Sequence, residues 1–206
     1  MYIPKHFAHD DRAHLLEVMR THSFATIFAT VDGEPFATHA PVRVDEFDGG
    51  ALQIEGHVAT MNPHARALAD GARAMVVFQG PHTYISPTLY ASAGRVPTWN
   101  YIAVHATGGA RTVDAPEAKR AILQRLIADH EPAFAARFDA FDDRLRDGLL
   151  GAITGFRIVV DKLEGKFKLG QNRLADNRPE MQAVHEEGDP DRRAIAQWMK
   201  CLGYWT

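Results

Sequence analysis

FATIFATVDGEPFATHAPVRV, residues 24–44, decides the fold. Phe24 to Val31 and Pro35 to Val44 are strand-like runs, and Asp32-Gly33-Glu34 between them is a strong hairpin turn signal. A hairpin means antiparallel pairing. Asp48-Gly49-Gly50 makes the next turn and leads to a strand from Ala51 to about Gly56, so the three runs read as a meander. Ahead of them, Asp10 or Asp11 can cap a helix in which Leu15, Leu16 and Met19 face inward, ending near His22.

Beyond the meander, Asn62-Pro63 supplies a side-chain cap and a proline suited to the first helical position, with Gly71 placed to stop that helix after Asp70. Ala74 to Gln79 is an apolar strand; Tyr101 to Thr107 is another, continuing past Gly108-Gly109 toward Val113. Pro81, Pro87 and Pro97 confine the segment between them to loops or strand edges. Asp114 can cap a helix to about His130 with Ile122, Leu123, Leu126 and Ile127 as its buried stripe. A second helical pattern sets Leu145, Leu149 and Ile153 on one side. Phe156 to Leu163 then returns to strand. From Arg178 the chain is polar and helical, with Asp189-Pro190 opening a last helix that ends near Gly203. The expected class is α+β, a closed or partly closed barrel with peripheral helices. Residues 1–177 are expected to form one domain, with 178–206 a helical extension packed on it or on a partner chain.

With 206 residues the chain can bury a substantial core, and 46% hydrophobic with 24% charged residues is ordinary for a soluble protein. No apolar run approaches a membrane span, and MYIPKHFAHDD lacks a basic region followed by an apolar stretch, so the expected location is the cytoplasm with no membrane partner. The single cysteine, Cys201, has no partner for an internal disulfide and reads as a small semi-buried residue on the last helix. A net charge of −3 offers DNA no overall attraction.

Chemistry concentrates in three places. FQGPHTYISPTLY (78–90) and VPTWNY (96–101) interleave flat rings with hydrogen-bonding groups, which suits either a planar, heteroatom-rich ligand or aromatic cover over a barrel end. GHVATMNPHARAL (56–68) sets His57, Asn62, His64 and Arg66 around a helix entrance. That is either a phosphate site or a plain cap beside a solvated arginine. LEGKFKLGQNR (163–173) gathers Lys166, Lys168 and Arg173 around Phe167, Gln171 and Asn172. No dinucleotide, P-loop or serine-hydrolase motif is present, and no side chain stands out as catalytic. His6 and His9 lack a third ligand, so no metal site is expected. Asp142 and Asp143 read as helix-start residues.

Together YIPKHF (2–7), the two aromatic segments and LEGKFKLGQNR resemble the PaiB family, described as FMN-binding negative transcriptional regulators. The likeness runs from Met1 to about Arg178. Two positions depart from the family's usual wording: Phe167, where Trp is common, and Gly170, where Ser is common. The resemblance implies an FMN-binding split β-barrel, FMN as cofactor, a homodimer, and DNA only through the regulatory label. It places Thr38 and His39 beside the flavin, although alternation along a strand lets only one of the two make the contact. His57, Asn62, His64 and Arg66 would serve the phosphate. Trp99 and Asn100 would meet the ring and its polar edge. Lys168, Gln171 and Asn172 would reach an anionic tail or that same edge. Two other functions stay open: an FMN-dependent oxidoreductase, and a heme-binding or heme-processing relative.

Overall fold

The computed structural model describes residues 1–69 and 71–206. Its elements run α1 (Arg12–Thr21), β1 (Phe24–Val31), β2 (Glu34–Glu46), β3 (Leu52–Ala59), α2 (Pro63–Ala67), β4 (Arg73–Ile85) and β5 (Thr98–Val113). There follow α3 (Pro116–His130), α4 (Ala135–Asp139), α5 (Asp143–Gly151), β6 (Ile153–Lys168), α6 (Glu180–Glu186) and α7 (Pro190–Cys201). The chain divides into two compact units. The first holds Met1–Leu15, Gln79–Val104 and Glu164–Thr206; the second holds Leu16–Phe78 and His105–Leu163.

All six strands contribute to the second unit, in the order β1-β2-β3-β6-β5-β4 round a closed barrel. β1 pairs antiparallel with β2 and β4, and β3 with β2 and β6. Val31 faces Glu34, leaving Asp32 and Gly33 as a two-residue turn with φ of 50° and 87°. Both positive values belong to the turn whose twist matches flanking strands, and Asp and Gly tolerate them best. Along β1 every second residue is buried, from Ala25 through Ile27 and Ala29 to Val31. Ile27, Ile54, Val76, Phe78, Phe156 and Ile158 are essentially inaccessible. Each such side chain contributes about 1.5–3 kcal/mol on leaving water. Gly108 allows β5 to run against the β6 backbone: a Cβ there would sit 1.9 Å from the Val159 carbonyl oxygen.

Several local readings change here. α2 ends at Ala67 with Leu68 as its cap, short of the expected stop, and Asp70 lies outside the described residues. Proline opens α3, whose N-cap is Ala115 without a side-chain bond; Asp114 instead accepts from Thr112 Oγ1 at 3.3 Å. Asp142 does cap α5, accepting from the Leu145 amide at 2.8 Å. Leu145 and Leu149 are 46% and 43% exposed, whereas Leu150 is buried. A stripe spaced four apart fixes a helix face but not which face meets the core.

In the first unit, β4 continues through Gly80 and a buried Pro81 to Ile85, so this proline sits within a strand. β6 likewise extends through the basic segment to Lys168. Phe167 is 1% exposed, stacked on His9 at 4.0 Å and edge-on to Trp198 at 5.2 Å. Ile85, Tyr90 and Met181 form a small core with Leu89 and Trp205 against it. Asp11 caps α1 through the His14 amide at 3.0 Å, and Asp189 caps α7 through the Arg192 amide at 2.9 Å. Cys201, the last residue of α7, is exposed and not semi-buried.

Candidate functional site

The nominated residues fall into two groups, one in each unit. In the second unit the turn from β3 into α2 sets Asn62 and His64 against Thr38 of β2. The Asn62 side-chain oxygen accepts from the His64 amide at 2.9 Å, and its Nδ2 donates to Thr38 Oγ1 at 3.1 Å. Thr38 Oγ1 lies 2.7 Å from His64 Nδ1 and 3.4 Å from Asn62 Oδ1. The Thr38 hydroxyl thus bridges the Asn62 side chain and His64 Nδ1. His64 Nε2 is buried and has no hydrogen-bond partner. Burial holds the His64 pKa below its ordinary 6.5, against an opposing contribution from the Phe36 backbone. The site therefore contains a neutral imidazole with one buried ring nitrogen unpartnered, which costs about 1–3 kcal/mol while it stays unsatisfied.

Pleating separates the two β2 candidates. Thr38 is half-buried in this network, while His39 is exposed, bonded to Thr26 Oγ1 at 3.0 Å and stacked toward Phe24. His57 is half-buried with its Nδ1 unpartnered, and burial depresses its pKa. A cavity of about 490 Å³ opens beside the helix entrance, lined by Phe36, Thr60, Met61, Asn62 and Arg66 among others. Arg66 is exposed, and its Nη2 lies 2.9 Å from both carboxylate oxygens of Asp32, which sequence spacing had marked only as a turn residue. No local pattern could reveal a pair 34 positions apart. The α2 amides are not available as an anion cradle: Pro63 has none, His64 N–H goes to Asn62 Oδ1, and Ala65 N–H goes to the Asn62 carbonyl. An anion here would rely on the Arg66 guanidinium.

The first unit holds the other group. Trp99 is 51% exposed beside His82 and Tyr84. Asn100 is buried, and Asn172 is exposed. Lys168 donates to Thr98 Oγ1 at 2.6 Å and to the Trp99 carbonyl. The Gln171 side chain is occupied by the backbone, accepting from Leu169 N at 2.8 Å and donating to the Phe167 carbonyl at 2.6 Å. A cavity of about 250 Å³ lies among Asn100, Lys168 and Asn172, joined by His6, Tyr90 and Arg173. A third cleft, of about 400 Å³ in the second unit, is lined by Arg20, Arg43 and Asp129. Arg43 is already paired with Asp45 and Asp129, so it has little charge left to offer an anion. Among the described residues no group of three or more His, Cys, Asp or Glu is placed to hold a metal ion.

Residues 1–162 match the family described as "Putative FMN-binding domain". The chain belongs to this FMN-binding PaiB family. Among its PaiB relatives is the protease synthase and sporulation protein PAI 2 of Bacillus subtilis, 33% identical over 97% of each chain. An uncharacterised protein of Emericella nidulans is 31% identical, covering 82% of this chain and 74% of its own. The FAD and heme binding protein of Mycobacterium smegmatis superposes with a TM-score of 0.62 at 23% identity, over 78% of this chain and 73% of that one. The flavocytochrome Anf3 of Azotobacter vinelandii gives 0.61 at 13% identity, over 81% and 72%. At those identities the likeness concerns the fold, an α+β split β-barrel with peripheral helices.

FMN is the cofactor of this PaiB-family chain. The second-unit group fits it in kind. It offers a guanidinium for a phosphate, a buried histidine nitrogen without a protein partner, and an aromatic wall at Phe36. No helix of the described residues is long and apolar enough to cross a membrane.

Proposed function

We propose that this PaiB-family chain is an FMN-dependent negative transcriptional regulator that holds its cofactor beside the α2 entrance. The observation carrying the cofactor assignment is the closed Thr38–Asn62–His64 network next to the Arg66-lined cavity. In this reading Arg66 turns from Asp32 to the FMN phosphate, and Thr38 and Asn62 hold the His64 ring so that its unpartnered Nε2 is left for the ligand. Bound FMN supplies electron or hydride transfer at its ring system. The chain's own residues bind and orient it, and the neutral His64 and His57 add no charge.

The regulatory part rests on the resemblance to the PaiB family and not on a DNA-binding surface, since the net charge is −3. We further propose a cytoplasmic homodimer that covers the exposed Trp99, Tyr84 and His82 cluster. Residues 178–206 are taken as an extension of a domain spanning 1–177. Support comes from within the first unit, where Trp198 meets Phe167 and Ile195 and Met199 are buried.

The test is reconstitution with excess FMN followed by desalting and anaerobic spectroscopy with candidate reductants. About one flavin retained per chain supports the site, because a preformed pocket buries most of its ligand. A folded preparation that retains none removes it. Steady flavin turnover with a nicotinamide donor would make the protein an oxidoreductase instead of a regulator.

A further inference from the structure

The first-unit cavity has a chemistry of its own. Its polar lining includes Lys168, Arg173, His6, Asn100 and Asn172, and none of its lining residues is acidic. The Arg173 amide donates to the Gly170 carbonyl at 2.8 Å, while its guanidinium makes no hydrogen bond or ion pair among the described residues. Lys168 spends two donors on Thr98 Oγ1 and the Trp99 carbonyl, and its ammonium carries a third proton. Burial, then the charges of Lys166 and Arg173, lowers the Lys168 pKa, so the cations crowd one another and an anion would relieve them. Asn100, only 3% exposed, brings a buried amide to the same space. Phe7 and Tyr90 supply ring walls, at 8% and 4% exposure.

Size and shape narrow the ligand. About 250 Å³ is the volume of roughly eight water molecules, which suits a single small ring and an acidic group. Gly170 contributes to that room. It has φ of 75°, and a Cβ there would lie 3.8 Å from Asn100 Nδ2, so any larger side chain would take up space beside the amide.

We propose that this cavity binds a small aromatic carboxylate as a second ligand, separate from FMN. The carboxylate meets Arg173 and Lys168, the amides of Asn100 and Asn172 hydrogen-bond to it, and the ring lies against Phe7 and Tyr90. Such a ligand would serve the protein as an effector or as the partner of its flavin.

The test is calorimetric titration of the FMN-loaded protein with benzoate, and separately with inorganic phosphate. The proposal expects one benzoate per chain, weakened ten- to a hundredfold in Arg173→Gln and in Lys168→Met, and unchanged in the exposed charge control Arg111→Gln. Arg173 is exposed and bonds among the described residues only through its backbone, which Gln keeps, so Arg173→Gln remains informative if Lys168→Met does not fold. Gly170→Ser should also weaken benzoate. Absence of benzoate binding, insensitivity to Arg173→Gln, or phosphate binding as tightly as benzoate each overturns the proposal. So does displacement of FMN by benzoate, which would make the cavity part of the flavin site. If the protein retains no FMN, the same titration on folded flavin-free chain still decides this proposal, separately from the cofactor reading.

Discussion

Arg66 and Asp32 compete with the FMN phosphate, and the competition can be put into numbers. Both side chains are largely exposed, at 74% and 77%, so their ion pair contributes about 0–1 kcal/mol. A guanidinium on phosphate contributes about 1.5–3 kcal/mol through charge-assisted hydrogen bonds. Arg66→Ala should therefore weaken FMN by about ten- to a hundredfold. Asp32→Asn should tighten it by up to about fivefold, because Arg66 no longer has a carboxylate to leave. The turn should survive that change, since Asn accepts the positive φ at position 32 and Asn-Gly is a favoured hairpin turn. Riboflavin keeps the ring and lacks the phosphate, so its affinity should hardly move in either variant. Fluorescence titration of both ligands at two salt concentrations measures all of this, with salt narrowing the wild-type preference for FMN. Unchanged FMN affinity in Arg66→Ala refutes the phosphate role, and equal loss of both ligands points to a damaged fold. Weaker FMN binding in Asp32→Asn refutes the competition.

Four further outcomes are expected. Thr38→Val strands His64 Nδ1 and Asn62 Nδ2 without their partner and should cost about 1–3 kcal/mol in urea denaturation; an unchanged midpoint would contradict the network. Gly108→Ala forces β5 from β6 and should cost about 3 kcal/mol by the same measurement, so a neutral result would mean the two backbones lie farther apart. His185 is buried, its Nδ1 donating to the Met181 carbonyl at 2.7 Å, and burial holds its pKa below 6.5 against an opposing contribution from that carbonyl, with Arg192 lowering it and Asp189 raising it. The unfolded state then binds more protons, so its stability contribution is complete above about pH 6.5 and is lost as pH falls toward the depressed folded value; His185→Gln should flatten the decline in urea midpoint between pH 7 and 5, and an unaltered slope would exclude it. Light scattering should give twice the 22.9 kDa chain mass, and Trp99→Ala should shift the balance toward monomer; a wild-type monomer at micromolar concentration sinks the dimer.

Local chemistry made much of this molecule legible before any coordinates. Asp32-Gly33, Asp11, Asn62-Pro63, Asp142 and Asp189 act within a few residues of themselves, so turn and cap rules place them correctly. Alternation along β1 states its buried face for the same reason. The family blocks named the cofactor, because they are whole words of sequence and not contacts. Tertiary structure alone decided what depends on distant partners. It set Thr38 against Asn62 and His39 against Thr26 by the two sides of β2, and it occupied the α2 amides that looked open to phosphate. It committed Gln171 to its own turn and paired Arg66 with Asp32 across 34 residues. It turned Leu145 and Leu149 outward, since periodicity defines a helical face while only packing assigns its direction. Hydrogen bonds and ion pairs between distant segments are set by how strands register and helices dock, and no short window of sequence contains that information.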